Sequence, residues 1–221
     1  TFNYTVTTQG GNCTLANLEG TIIINPNDEL SLFSAVGYDS QELCDGVSLD
    51  NIIYEFSGGA TNATVSGLPA GVTFDSSGGF LTISGTPTGP ISTPTTFNYT
   101  VTTVGGNCLA ASLDGTITIN PNDALALSSA VGTNLQEVCD GIPIDTITYV
   151  FSGGATTATV SGLPVGVTFD SSGGFLTISG TPPAATGATQ VYPYTVTTQG
   201  GNCEAAELNG TITVKGLVSV S

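Results

Sequence analysis

The chain has 221 residues with 17 acidic side chains, one basic side chain and no histidine, and its formal net charge is −16 at pH 7. Nucleic acid is excluded as a partner, because binding phosphates requires lysines and arginines that displace counterions. Direct membrane insertion is excluded as well, since no apolar run approaches the roughly 20 residues of a membrane span and the charge repels anionic lipid.

The sequence repeats with a period of 95 residues. Cys13, Cys108 and Cys203 are separated by two steps of 95, and Phe74 recurs as Phe169 after one such step. Solenoid repeats have roughly 20–47 residues, whereas a two-sheet sandwich of the immunoglobulin type has roughly 100. We therefore expect each unit to enclose a core of its own.

The predicted elements of a unit are short strands separated by turns. The first unit opens with a strand at Leu30-Ser31-Leu32, and later strands alternate apolar and polar residues with period two. The residues predicted to share the apolar faces are Ile52, Tyr54, Phe56, Leu81, Ile83, Phe97, Tyr99, Val101, Leu113, Ile117 and Ile119. The only candidate helix is at 204–208. Seven or so strands with turns every 8–12 residues indicate an all-β, antiparallel sandwich.

The most specific motif runs from Ser66 to Pro87 and again from Ser161 to Pro182. It reads Gly-Leu-Pro-x-Gly-Val-Thr-Phe-Asp-Ser-Ser-Gly-Gly and ends in Ile-Ser-Gly-Thr-Pro. An aromatic strand, Phe-Asn-Tyr-Thr-Val-Thr, follows at 97–102. These motifs resemble the immunoglobulin-like and cadherin-like (PKD-like) repeats of giant Bacteroidota cell-surface adhesins, of the gliding-motility type secreted by the type IX route. The resemblance covers essentially the whole chain and implies tandem immunoglobulin-like sandwiches in an elongated rod.

Four segments follow from the period and the resemblance. Residues 1–28 match 96–123 and are predicted to be the C-terminal hairpin of a truncated immunoglobulin-like repeat. Two immunoglobulin-like repeats are predicted at 29–122 and 123–217, and a tail or the start of another unit at 218–221. The Asn-Pro-Asn-Asp sequences that end at Asp28 and Asp123 are predicted to be short, stiff linkers, because proline lacks an N–H and asparagine favours turns.

The five cysteines occupy two positions of the repeat, and with no histidine and no Cys-x-x-Cys motif they are predicted to form disulfides. Pairing within units joins Cys44 to Cys108 and Cys139 to Cys203. Pairing across units joins Cys13 to Cys44 and Cys108 to Cys139. The number of cysteines does not decide between these two pairings, because each leaves one cysteine unpaired. Geometry favours pairing within units, with Cys13 paired outside the segment, because a strand of about nine residues spans roughly 30 Å and bonded Cα atoms lie within about 7 Å.

Oxygen-bearing side chains at the linkers are candidate calcium ligands. They are Asn25, Asn27, Asp28, Asn120, Asn122 and Asp123. A calcium site requires six to eight oxygens and usually several carboxylates, and each linker offers only one carboxylate. We therefore expect no cofactor, with calcium at the repeat junctions as the exception to be tested.

Catalysis is not expected, because without histidine and arginine neither a Ser-His-Asp nor a Cys-His arrangement can be built. The resemblance implies a non-enzymatic stalk or spacer of a bacterial cell-surface adhesin or extracellular filament, supporting adhesion or gliding. The expected partners are neighbouring repeats, other filament chains or surface glycans. Two alternatives are a carbohydrate- or surface-binding module of a secreted protein and a self-assembling fibre subunit completed by strand addition.

Overall fold

The structure is a computed structural model that describes residues 1–185 and 187–216, so the tail predicted at 218–221 lies outside the described residues. Within them the chain forms 18 strands and no helix, which confirms the all-β prediction. The candidate helix at 204–208 is instead a loop followed by the beginning of the last strand. The described residues accordingly contain no helix long and apolar enough to cross a bilayer.

The strands fall into a short hairpin and two equivalent units. The hairpin consists of β1 (Phe2–Thr7) and β2 (Asn17–Ile22). The first unit contains β3 (Asp28–Leu32), β4 (Ser40–Cys44), β5 (Ile52–Gly58), β6 (Asn62–Ser66), β7 (Val72–Ser77), β8 (Phe80–Gly85), β9 (Thr95–Val104) and β10 (Ser112–Asn120). The second contains β11 (Ala124–Leu127), β12 (Leu135–Cys139), β13 (Ile147–Ser152), β14 (Thr157–Ser161), β15 (Val167–Ser172), β16 (Phe175–Gly180), β17 (Gln190–Gln199) and β18 (Glu207–Lys215).

Each unit consists of two four-stranded sheets. In the first unit the strand orders are β3-β5-β8-β7 and β4-β10-β9-β6, and the second unit repeats them as β11-β13-β16-β15 and β12-β18-β17-β14. Neighbouring strands are antiparallel with one exception in each unit, because β4 runs parallel to β10 and β12 runs parallel to β18. The sequence patterns did not predict this short parallel strand.

The core of each unit lies between its two sheets. Ile52, Leu81 and Ile83 of one sheet and Val101 and Ile117 of the other are completely buried. These residues were predicted to face inward from the period-two alternation, and the structure confirms it. Leu113 departs from the prediction, since it is 37% exposed near the beginning of β10.

Two tyrosines connect the sheets through the middle of the first core. The hydroxyl groups of Tyr54 and Tyr99 are 3.0 Å apart, and both side chains are 1% exposed. Burial raises the pKa of the Tyr99 hydroxyl above its usual value. Gly115 lies directly opposite Tyr99 on the neighbouring strand, and a Cβ there would lie 2.2 Å from the Tyr99 ring. The glycine therefore makes room for the aromatic ring.

The hairpin of β1 and β2 pairs with no further strand among the described residues. Its Tyr4 is 49% exposed, whereas the equivalent Tyr99 is buried, and Ile22 is 55% exposed, whereas Ile117 is buried. The hairpin thus presents to solvent the apolar face that in a whole unit lies against the second sheet.

Candidate functional site: the junction between the repeats

Strand β4 places Cys44 at the C-terminal end of the first unit. Because β4 runs parallel to β10, Ser40 pairs with Thr116 and Cys44 pairs with Asn120. Asn120 is the last residue of β10, and the chain continues from it into the linker. Cys44 therefore lies where the second unit begins.

The loop between β17 and β18 places Cys203 at the N-terminal end of the second unit. The Thr198 hydroxyl at the base of this loop donates to the Asp123 carboxylate of the linker at 2.8 Å. Cys203 Sγ lies 3.7 Å from the carbonyl oxygen of Asn120. The loop is thus held against the linker, facing the first unit.

A disulfide joins Cys44 to Cys203 across the junction, with Cα atoms 5.7 Å apart and a sequence separation of 159 residues. The predicted pairs Cys44–Cys108 and Cys139–Cys203 are therefore wrong. The reason is the parallel direction of β4, which puts Cys44 and Cys108 at opposite ends of a strand that spans roughly 30 Å. Cys108, Cys139 and Cys13 are exposed thiols, and a partner for Cys13 outside the segment stays a prediction.

Hydrogen bonds accompany the disulfide. Glu42 Oε1 accepts from Asn120 Nδ2 at 2.7 Å and from Asn202 Nδ2 of the second unit at 3.3 Å. The Asn122 side chain donates to the carbonyl oxygen of Asp45 at 3.2 Å. Glu42 was not predicted to have a role at the junction, because no local pattern marks Ser40–Cys44 as a strand that ends there.

A linker carboxylate anchors the N-terminal end of each unit to its last hairpin. Asp28 is 8% exposed, and its Oδ2 accepts a hydrogen bond from the Thr103 hydroxyl at 2.8 Å. Its Oδ1 is buried without a hydrogen-bond partner among the described residues, and the same is true of Asp123. A Cβ at Gly106 would lie 1.9 Å from Asp28 Oδ1, so the glycine lets the hairpin loop close over the carboxylate.

The junction does not gather the candidate calcium ligands into an acidic cluster. No group of three or more histidine, cysteine, aspartate or glutamate side chains suited to a metal ion occurs within the described residues. The Asn120 and Asn122 amides already donate hydrogen bonds, to Glu42 and to Asp45. The expectation of no cofactor, with calcium at the junctions as the exception, stays a prediction to be tested with the protein in solution.

A cleft of about 210 Å³ lies between the units beside the disulfide, and Asn120, Pro121, Thr156 and Asn202 contribute to its walls. No ionisable side chain lines it. General acid–base chemistry requires a titratable group within hydrogen-bonding reach of the reacting atoms, so this cleft provides none of the machinery for it.

Two consecutive two-sheet sandwiches, joined by a short linker and a disulfide, define a protein built of tandem β-sandwich repeats. The chain belongs to the "Putative Ig domain" family, whose sequence profile matches residues 45–122 and 124–215. The match to two consecutive units confirms that they are immunoglobulin-like repeats.

The chain is also similar to adhesins of Staphylococcus aureus. It is 41% identical over 127 residues to the "Serine-rich adhesin for platelets" of strain MRSA252, a match that covers 56% of this chain and 9% of the adhesin. The adhesin of strain USA300 gives the same identity over 5% of its length. The chain thus spans less than a tenth of the length of these relatives.

The solved structures to which the chain is similar include those of titin and of a protocadherin. A titin A168–A169 structure matches 88% of this chain over its whole length at 10% identity and a TM-score of 0.41. The protocadherin GammaB4 extracellular domain matches 97% of this chain with 38% of its own length, at 12% identity and a TM-score of 0.49.

Proposed function

We propose that these repeats are a stalk segment of a bacterial cell-surface adhesin or extracellular filament, in which they hold a distal region away from the cell. The observation that carries the proposal is the covalent bond between Cys44 and Cys203. Domains connected only by a linker move relative to one another by default. A disulfide between units that are already connected restricts that motion, and this is the property a spacer needs.

The bond also supports an extracellular location, because disulfides persist in oxidising compartments and are rare in the cytosol. The similarity to the "Serine-rich adhesin for platelets" of Staphylococcus aureus also supports this location, because an adhesin has to be accessible from outside the cell. Bacteroidota origin, type IX secretion and a role in gliding belong to the same proposal and are supported by the resemblance of the repeat motifs.

The stiffening role is tested by small-angle X-ray scattering on the 221-residue chain. We expect the native protein to show a narrow distribution of distances between its units and the Cys44→Ser variant to show a broad one. Cys108→Ser is the matched control, because Cys108 forms no disulfide among the described residues. Indistinguishable scattering from the native protein and the Cys44→Ser variant would show that the disulfide does not restrict motion between the units.

The spacer role also predicts that the two repeats bind no glycan or cell surface themselves. An array of bacterial and host glycans, probed with the folded chain, measures this directly. Saturable binding to one glycan class would overturn the spacer proposal in favour of a carbohydrate-binding module.

The fibre subunit completed by strand addition stays a prediction, in which a second copy of the chain covers the apolar face of the β1–β2 hairpin. Sedimentation velocity over a range of concentrations tests it. Polymers that disappear in a Tyr4→Thr/Ile22→Thr variant would support the fibre, and a monomer at all concentrations would exclude it.

A further inference from the structure

We propose that the bond between Cys44 and Cys203 is one step of a disulfide ladder, in which the cysteine that ends each β4-type strand is bonded to the hairpin cysteine of the following repeat. Cys108 would then be bonded to a cysteine of a repeat that precedes the first unit. Cys139 would be bonded to a cysteine of a repeat that follows the second unit. The partner in each case is the thiol of a neighbouring immunoglobulin-like repeat.

The loop that carries Cys108 is held to its linker in the same way as the loop that carries the bonded Cys203. The Cys108 thiol donates to the carbonyl oxygen of Asn25 at 3.5 Å, as Cys203 Sγ lies 3.7 Å from that of Asn120. Its loop is held to the linker by the Thr103–Asp28 hydrogen bond, which matches the one that holds the loop of Cys203. This half of the bonding site is therefore already formed.

Cys139 occupies the position of the bonded Cys44. It ends β12 and pairs with Lys215 of β18, as Cys44 pairs with Asn120 of β10. The next residue, Asp140, donates its backbone N–H to the Lys215 carbonyl oxygen at 3.3 Å, and the corresponding bond after Cys44 is 2.9 Å long. Cys139 is exposed at the C-terminal end of its unit, where a following repeat would begin.

Forming each bond removes two protons and two electrons from a pair of thiols. A small-molecule disulfide such as oxidised glutathione accepts both by exchange and leaves as two thiols. The ladder therefore forms by ordinary thiol–disulfide exchange in an oxidising compartment.

The ladder would limit how far an array can be stretched, a consequence that rests on the proposed stalk function. Each bond spans 159 residues, and the repeat is 95 residues long, so successive bonds overlap. Only 31 residues separate a hairpin cysteine from the next β4-type cysteine, for example Cys108 from Cys139. The shortest covalent path through two repeats thus contains 31 residues instead of 190, about 105 Å instead of about 650 Å when fully extended.

The pairing is tested in an extended chain that contains a second copy of residues 29–123, inserted after Asp123. The exposed substitutions Val47→Ile and Leu109→Val in the inserted copy distinguish its cysteine peptides from the original ones. After refolding with oxidised glutathione, non-reducing peptide mapping should show the original Cys44 bonded to the inserted copy's Cys108. It should also show the inserted copy's Cys44 bonded to Cys203. Bonds within one copy, or thiols at these positions, would overturn the ladder.

The mechanical consequence is measured by pulling arrays that contain two, four and six inserted copies. Without reductant, each added pair of copies should contribute about 105 Å to the fully stretched length, and after reduction about 650 Å. Pairing within copies would give about 210 Å per pair and would exclude the ladder. These outcomes concern the bonds alone, so they are distinguishable from failure of the spacer proposal, which the scattering and glycan experiments decide.

Discussion

The hydroxyl group of Tyr99 donates to the backbone carbonyl oxygen of Asp39 at 3.1 Å and lies 3.0 Å from the hydroxyl group of Tyr54. Since the Tyr99 proton is directed to Asp39, Tyr54 is the donor in the pair. The chain of two hydrogen bonds runs from β5 in one sheet through β9 in the other to the turn before β4. It therefore ties the parallel strand that carries Cys44 to the core.

This arrangement predicts unequal effects of two similar substitutions. Tyr54→Phe removes one hydrogen bond and should lower the free energy of unfolding by about 1 kcal/mol. Tyr99→Phe removes both hydrogen bonds and leaves the buried Tyr54 hydroxyl without an acceptor, so it should cost about 2 kcal/mol. Urea denaturation of each variant measures the difference. Tyr194→Phe in the second unit is the matched control and should cost less than Tyr99→Phe, because Tyr194 lies 3.4 Å from its carbonyl acceptor. Equal losses for Tyr54→Phe and Tyr99→Phe would contradict the assigned donor direction.

The buried tyrosines also predict loss of stability in alkali. Burial raises the pKa of Tyr54, Tyr99, Tyr149 and Tyr194 in the folded protein, so the unfolded chain releases these protons first. The stabilisation is complete below pH of about 10 and falls as the pH rises, by up to about 1.4 kcal/mol per pH unit for each such tyrosine. Tyrosinate absorbance and circular dichroism should therefore change together above that pH. Full ionisation of all seven tyrosines without unfolding would contradict this prediction.

The carboxylate of Asp28 should stabilise its unit through Thr103. Asp28→Ala removes a buried, charge-assisted hydrogen bond and should lower the free energy of unfolding by about 1–3 kcal/mol. Asp28→Asn should lower the free energy of unfolding by less than Asp28→Ala does. Its amide oxygen can still accept from the Thr103 hydroxyl, and its amide nitrogen takes the place of Oδ1, which has no hydrogen-bond partner. Chemical denaturation of both variants, with Asp123→Ala as the equivalent change in the second unit, tests this. An Asn variant less stable than the Ala variant would show that the negative charge itself is required.

Calcium is expected to have little effect on stability, because each linker supplies a single carboxylate and no acidic cluster lies among the described residues. Ligand binding stabilises the folded state by RT ln(1 + [L]/Kd), which is small when Kd is not far below the ligand concentration, so millimolar calcium or EDTA should move the melting temperature by less than about 1 °C. Thermal denaturation followed by circular dichroism measures this shift. A rise of several degrees that is lost in Asp28→Asn and Asp123→Asn would place a calcium site at the junctions.

Reduction should lengthen the stretched chain by a defined amount. The bond between Cys44 and Cys203 removes 159 residues from the path that carries force. Breaking it should therefore add about 540 Å to the fully extended length, at about 3.4 Å per residue. Single-molecule pulling with and without dithiothreitol measures the gain. Cys44→Ser should show the longer extension without reductant, and Cys108→Ser should behave like the native chain. An extension that does not respond to reductant would exclude the bond.

The fold was largely predictable from the sequence. The 95-residue period divides the chain into units, and alternation identifies inward residues such as Ile52, Tyr54 and Val101, because side chains of a strand point to opposite faces in turn. These are local properties, and a strand with one buried face must carry them in its own residues. The buried hydrogen-bond chain through Asp39 involves a backbone carbonyl, for which no residue type provides a signal.

The disulfide was decided only by the tertiary structure. Whether Cys44 lies at the N-terminal or the C-terminal end of its unit depends on the direction in which Ser40–Cys44 pairs with β10, a strand more than 70 residues later in the chain. Glu42 and Cys44 gain their partners in the second unit from that same long-range pairing. The sequence by itself determined that the cysteines recur with the repeat, and the parallel strand determined that a bond joins one repeat to the next, because it brings Cys44 to within 5.7 Å of Cys203 between Cα atoms.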